Sequence, residues 1–146
     1  MRRIAKLLSR PQSDLGLLFE AIAGLLAFRI ALHLFKFEDL RCWATMPNRK
    51  RTTRLEKLIW AANSATRIMP NSTCLANALS ACRLFTQNGH ASVLHIGVKR
   101  VDAAFEAHAW LECNGRVVIG GTEAAQFTYL TSWRSGDPSP MNGRES

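Results

Sequence analysis

The sequence predicts an α+β chain, with helices in its first part and a small antiparallel sheet in its second. Two observations carry that expectation. Up to residue 88, apolar residues recur at helical spacing between recognisable stops. Beyond residue 92, short runs rich in β-branched and aromatic residues flank the dipeptide Asn114-Gly115, a strong two-residue hairpin signal. Runs of helices followed by runs of strands read as α+β.

The chain has 146 residues, a length that suits one domain. Hydrophobic residues make up 47%, enough for a core, and charged residues 21%, too few for a disordered type. Residues 1–12 form a short basic lead. Ser13-Asp14 then opens a helix, with acid in its first turn. From Leu15 to about Phe35 the chain is apolar almost all round, with Glu20 and Arg29 inside the stretch. A spanning helix and a buried core helix both fit the length. The internal charges favour a buried or partner-facing soluble helix, because a charge deep in a bilayer is costly. Phe37 to Arg54 reads as a polar, basic connection. Thr53 caps a second helix over 54–68, with Leu55, Leu58, Ile59, Ala62 and Ala65 on one face. Met69-Pro70-Asn71-Ser72 breaks it. A third helix follows over 73–88, closed by Asn88-Gly89.

Strands follow at Ser92–Val98, Phe105–Cys113 and Arg116–Ile119. In the two-residue hairpin Cys113 opposes Arg116, so each opposing pair sums to 229 and His108 faces Gly121. Beyond Gly136 the chain is short, polar and Pro-containing, a loose tail.

The formal charge of +8 is uneven. Residues 1–60 hold 12 Lys/Arg against 5 Asp/Glu, and residues 61–146 hold 7 against 6. The basic excess favours an acidic partner. Nucleic acid is not expected, since the sheet lacks interleaved aromatic and basic residues. No Gly-rich phosphate loop is present, so no nucleotide cofactor is expected. The four cysteines, at 42, 74, 82 and 113, form no C-x-x-C pair, and no secretory signal is evident. Free thiols in a cytoplasmic setting are expected, with membrane association not expected. With His108 the cysteines fit no structural-zinc spacing, and no metal is expected.

Cys74 stands where a reactive thiol belongs. It opens a helix, where unpaired N–H groups and the helix dipole favour an anion. The same groups suit an oxyanion during acyl transfer. Cys82, among Leu79, Leu84 and Phe85, reads as a small core residue. His108, in Ala107-His108-Ala109-Trp110, lies on a strand. A cysteine and a histidine distant in sequence and close in space are the form of a thiol catalyst. For the third role the register puts Glu123 diagonal to His108, about 7–8 Å away between Cα atoms. Glu112 shares that face but lies about 13 Å along the strand.

Together, Ser72-Thr73-Cys74-Leu75, Ala78-Leu79, Leu84, Gly89, Leu94-His95-Ile96-Gly97-Val98 and Phe105-Glu106-Ala107-His108-Ala109-Trp110-Leu111-Glu112 resemble the lasso-peptide B proteins. That family of microcin-processing leader peptidases is a branch of the transglutaminase-like superfamily. The match is strongest over residues 70–121. The resemblance implies a transglutaminase-like, papain-like cysteine protease architecture, with Cys74 as nucleophile and His108 as base. It divides the single domain into a basic, partner-facing helical part (1–68), a catalytic core (69–136) and the tail (137–146). It implies removal of a leader from a ribosomally made lasso-peptide precursor. The partners would be the precursor's leader peptide, a separate leader-recognition protein and the lasso cyclase. Family members often carry an Asp near position 120, where this chain has Gly120-Gly121-Thr122, so Glu123 substitutes by inference. The alternatives are a catalytically degenerate scaffold that binds the leader for the cyclase, and an acyl transferase of transglutaminase type.

Overall fold

A computed structural model describes residues 12–46, 53–69, 71, 73–121 and 127–134. Four helices come first: α1 (Gln12–Leu34), α2 (Phe37–Thr45), α3 (Leu55–Ile68) and α4 (Cys74–Gln87). Four strands follow: β1 (Val93–Val101), β2 (Ala104–Cys113), β3 (Arg116–Ile119) and β4 (Thr128–Arg134). The sheet is antiparallel, in the order β3-β2-β1-β4. The α+β expectation holds.

Helix α4 is the centre of the core. Thr73 caps it, its Oγ1 accepting from the Ala76 N–H at 3.2 Å. The helix is then buried on nearly every side, through Ala76, Ala78, Leu79, Ala81, Cys82, Leu84 and Phe85. Even Arg83 is buried; its guanidinium lies over the Trp43 ring and donates to the Trp43 carbonyl at 2.9 Å. As expected, the helix closes at Asn88-Gly89, with Gly89 at φ 77°.

Helix α1 is packed on one side only. Leu18, Ala21, Leu25 and Phe28 are buried, and the helix packs against α3 and α4. Phe19, Leu26, Ile30 and Leu34 are exposed on it. Residues Asp14–Leu34 have the length and mean hydropathy (2.0) of a spanning segment, a weak signal that core helices share.

Two elements differ from expectation. The segment expected as a polar connection contains α2, whose Leu40, Arg41, Ala44 and Thr45 are buried. Its apolar side is only a few residues wide, so the basic residues around it masked the helical period. The chain also returns after Phe127 as β4, which pairs with β1. The run Thr128-Tyr129-Leu130-Thr131-Ser132-Trp133 has the β-branched and aromatic residues of a strand without a clean alternation of apolar and polar ones.

The hairpin turn forms as expected, with Asn114 at φ 54° and Gly115 at φ 77°, the two positive angles of a type I′ turn. Its register does not stay regular. Cys113 opposes Arg116 and Glu112 opposes Val117, but Leu111 opposes Ile119, so the register slips at Val118. Val118 and Ile119 are both buried, and Asn63 Nδ2 donates to the Val118 carbonyl at 3.1 Å. Burying two successive side chains breaks the two-residue alternation, and a bulge accommodates that break. The expected pairing of His108 with Gly121 is thereby corrected, because the ladder slips by one residue and ends at Ile119.

All four cysteines are free thiols. Cys82 is fully buried between α2 and the start of β1, near the Ala44 carbonyl and the Ser92 hydroxyl. Burial pushes its thiol above the ordinary 9.0. The unfolded chain ionises this thiol near 9.0 while the folded chain keeps it neutral. The stabilisation is therefore complete below that pH and declines as pH rises through it, by up to about 1.4 kcal/mol per pH unit. Urea midpoints measured from pH 8 to 10.5 are expected to fall above pH 9, and to fall less steeply in Cys82→Ala. An equal slope in both proteins would remove Cys82 as the cause.

Candidate active site

The two candidate catalytic side chains come from adjoining elements. Cys74 is the first residue of α4 and is half-buried. His108 is on β2 and is buried. Helix α4 packs along β2 and leads into β1 at the Cys113 end of the hairpin, where Cys113 Sγ donates to the Ala91 carbonyl at 3.2 Å. Cys74 thus opens the helix, and His108 lies midway along the strand on which that helix packs.

They are not hydrogen-bonded to each other. Along β2, Ala109, Leu111 and Cys113 belong to the core shared with α4. His108, Trp110 and Glu112 alternate with them and lie on the other face of the sheet. There the imidazole stacks on Phe127, centroids 4.8 Å apart, and on Trp110 at 6.0 Å. Its Nε2 lies 3.0 Å from the Gly120 carbonyl oxygen. Glu123, the expected third member, lies outside the described residues.

Glu112 serves a different histidine. The His95 Nε2 is 2.8 Å from a Glu112 carboxylate oxygen, and the His95 Nδ1 is 2.5 Å from the Ser132 hydroxyl. A carboxylate accepts, so Nε2 carries the proton toward Glu112 and Nδ1 accepts from Ser132. His95 stacks on Trp110 at 5.5 Å. Trp110 is thus shared between this Ser132–His95–Glu112 relay and His108. Sequence reasoning missed the relay. Its only trace in the sequence is that His95 and Glu112 fall on neighbouring strands, and the register that joins them to Ser132 needs β4. Ser132 is itself almost fully buried, so the relay holds Trp110 in place and does not offer its hydroxyl to solvent.

Among the described residues no group of three His, Cys, Asp or Glu side chains converges as a metal site. What the arrangement offers chemically is a half-buried thiol at a helix N-terminus and an imidazole held by one nitrogen.

Four helices followed by a four-stranded antiparallel sheet make an α+β domain that carries Cys74 at a helix opening and His108 on a strand. The family model of the transglutaminase-like superfamily matches residues 22–132, most of the chain, and the chain belongs to that superfamily. Searches of curated proteins and of solved structures find no match. The matched span includes Cys74, His108 and all four strands up to Ser132.

Proposed function

We propose that this chain is a cysteine peptidase that removes the leader from a lasso-peptide precursor in the cytoplasm, with Cys74 as nucleophile and His108 as base. The observation that carries the reading is the placement of Cys74 at the opening of a helix packed along the strand that bears His108, in a chain of this superfamily. The finer assignment to lasso-peptide maturation rests on the resemblance over residues 70–121.

The imidazole takes the Sγ proton, and the thiolate attacks the carbonyl carbon before the core peptide. The first N–H groups of α4 lack intrahelical acceptors; the Ala76 N–H is taken by Thr73, and those of Cys74 and Leu75 are the proposed oxyanion donors. Collapse breaks the C–N bond, and the imidazolium gives its proton to the departing amine. Water, deprotonated by the same histidine, hydrolyses the thioester. The step needs a thiol–imidazole contact that the free chain does not hold. Because His108 lies on the sheet face away from the core shared with α4, that contact requires a rearrangement of the chain when substrate binds. Glu123 is the proposed carboxylate of the site. The proposed partners are the leader, a separate recognition protein and the cyclase. The outward apolar residues of α1 and the basic N-terminal part suit docking of one of these.

The test is cleavage of a candidate precursor, followed by mass spectrometry, with a leader-recognition protein supplied. Wild type is expected to release leader and core, and His108→Ala to release neither. A second reading, the non-catalytic scaffold, is favoured by the absence of a Cys74–His108 hydrogen bond. It gains the field if wild type binds leader without cutting it. An amine in place of water as the acceptor makes the same chemistry an acyl transfer, which the product mass distinguishes.

A further inference from the structure

We propose that the main-chain carbonyl of Gly120 is the positioning group for His108, fixing the ring as its Nε2–H tautomer and leaving Nδ1 as its basic nitrogen. This rests on the cysteine–histidine reading above.

The hydrogen bond sets the tautomer. A carbonyl oxygen only accepts, so the nitrogen 3.0 Å from it carries the proton. In the neutral ring the lone pair is then at Nδ1. The ring has little freedom to turn, because it is stacked on Phe127 and Trp110 with interplanar angles of 25° and 20°. Trp110 is held in turn by His95, whose two nitrogens are tied to Glu112 and Ser132.

The chain reaches this geometry through the bulge. The slip at Val118 ends the ladder at Ile119, and the next residue turns its carbonyl onto the imidazole. That turn requires glycine for two reasons. Gly120 has φ 75°, which L side chains rarely adopt. A Cβ there would also lie 3.0 Å from the Ala109 carbonyl oxygen and 3.1 Å from the His108 Nε2 itself. The glycine at the position where the resemblance leads one to expect an acid thus has a function of its own. The peptide group supplies the acceptor that a carboxylate would otherwise bring. A carbonyl directs the proton as a carboxylate does, without a net charge.

The tautomer is read directly by long-range 1H–15N spectra of the labelled full chain, with the His108 signals assigned by their loss in His108→Ala. In the neutral ring of wild type, Nε2 is expected to be protonated and Nδ1 unprotonated. In Gly120→Ala the ring is expected to become a mixture of tautomers. Its kcat on the precursor is expected to fall at least about tenfold with KM within about twofold, since small displacements of a catalytic group cost rate more than binding. In Glu123→Gln the tautomer is expected to stay as in wild type even where the rate falls, since the Gly120 carbonyl holds the ring. An Nδ1–H tautomer in wild type overturns the proposal, and so does its persistence in Gly120→Ala with an unchanged kcat. Loss of the tautomer in Glu123→Gln hands the role to that carboxylate. If Gly120→Ala fails to fold by circular dichroism, the wild-type and Glu123→Gln spectra decide alone. The spectra need no turnover, so an Nε2–H tautomer in a chain that cuts no precursor sinks the peptidase reading and leaves this one standing.

Discussion

A chain carrying Cys74→Ala is expected to cleave the precursor at least about a thousandfold more slowly than wild type. Removing the nucleophile from a covalent mechanism removes the acyl-enzyme route altogether, leaving only what binding and the oxyanion donors provide. The substitution is structurally mild. Cys74 is half-buried at the first position of α4, its thiol makes no hydrogen bond among the described residues, and Thr73 continues to cap the helix through the Ala76 N–H. Stability is therefore expected to stay within about 0.5 kcal/mol of wild type, and leader binding to persist. Single-turnover cleavage followed by mass spectrometry reads the rate, and thermal unfolding verifies the fold. Cleavage at the wild-type rate would refute Cys74 as nucleophile. Labelling sharpens the point: iodoacetamide is expected to modify Cys74 and exposed Cys42 in the folded chain and to spare buried Cys82 and Cys113.

The largest effect on stability is expected from Gly97→Ala. Gly97 lies opposite His108 on β1. A Cβ at this position would approach the Thr128 carbonyl oxygen and the Trp110 ring at 2.8 Å. Neither neighbour yields easily, because one is main chain of β4 and the other is an indole held by its stacking with His95 and His108. Overpacking of this kind costs about 3 kcal/mol. For a domain of this length that corresponds to a fall in Tm of about 10 °C. The register of β1 with β4 already shifts between Ile96 and Gly97, so the damage should centre there. Thermal unfolding by circular dichroism reads the shift. A Tm within about 2 °C of wild type would mean that β4 moves freely at this point, against the packing described.

The parts of this molecule legible in its sequence are those decided within a few residues. The Asn114-Gly115 turn, the Asn88-Gly89 stop and the opening of α4 at Cys74 each follow from local backbone preferences, and each forms where expected. The slip at Val118 was not legible, because it comes from the burial of two consecutive residues and a hydrogen bond from Asn63, 55 positions away. For the same reason the partner of His108 could not be read from pairing arithmetic. A regular hairpin puts Gly121 opposite His108, whereas the bulged one brings the Gly120 carbonyl to the ring. The Ser132–His95–Glu112 relay joins three strands, one of which the sequence did not announce. Short α2 was missed because nine residues hold too few turns for a period to stand out.

The sheet order places the last strand beside the first. β1 has β2 on one side, and its other side is covered only when residues 128–134 arrive. During synthesis, β1 to β3 emerge and pair by local hairpins while that side still presents open main-chain donors and acceptors over Val93–Val98. An uncovered strand edge is a template for other chains. A chain truncated before Thr128 therefore keeps its helices and hairpins but carries a permanently sticky edge, and self-association of such fragments is built into the order in which the sheet is completed.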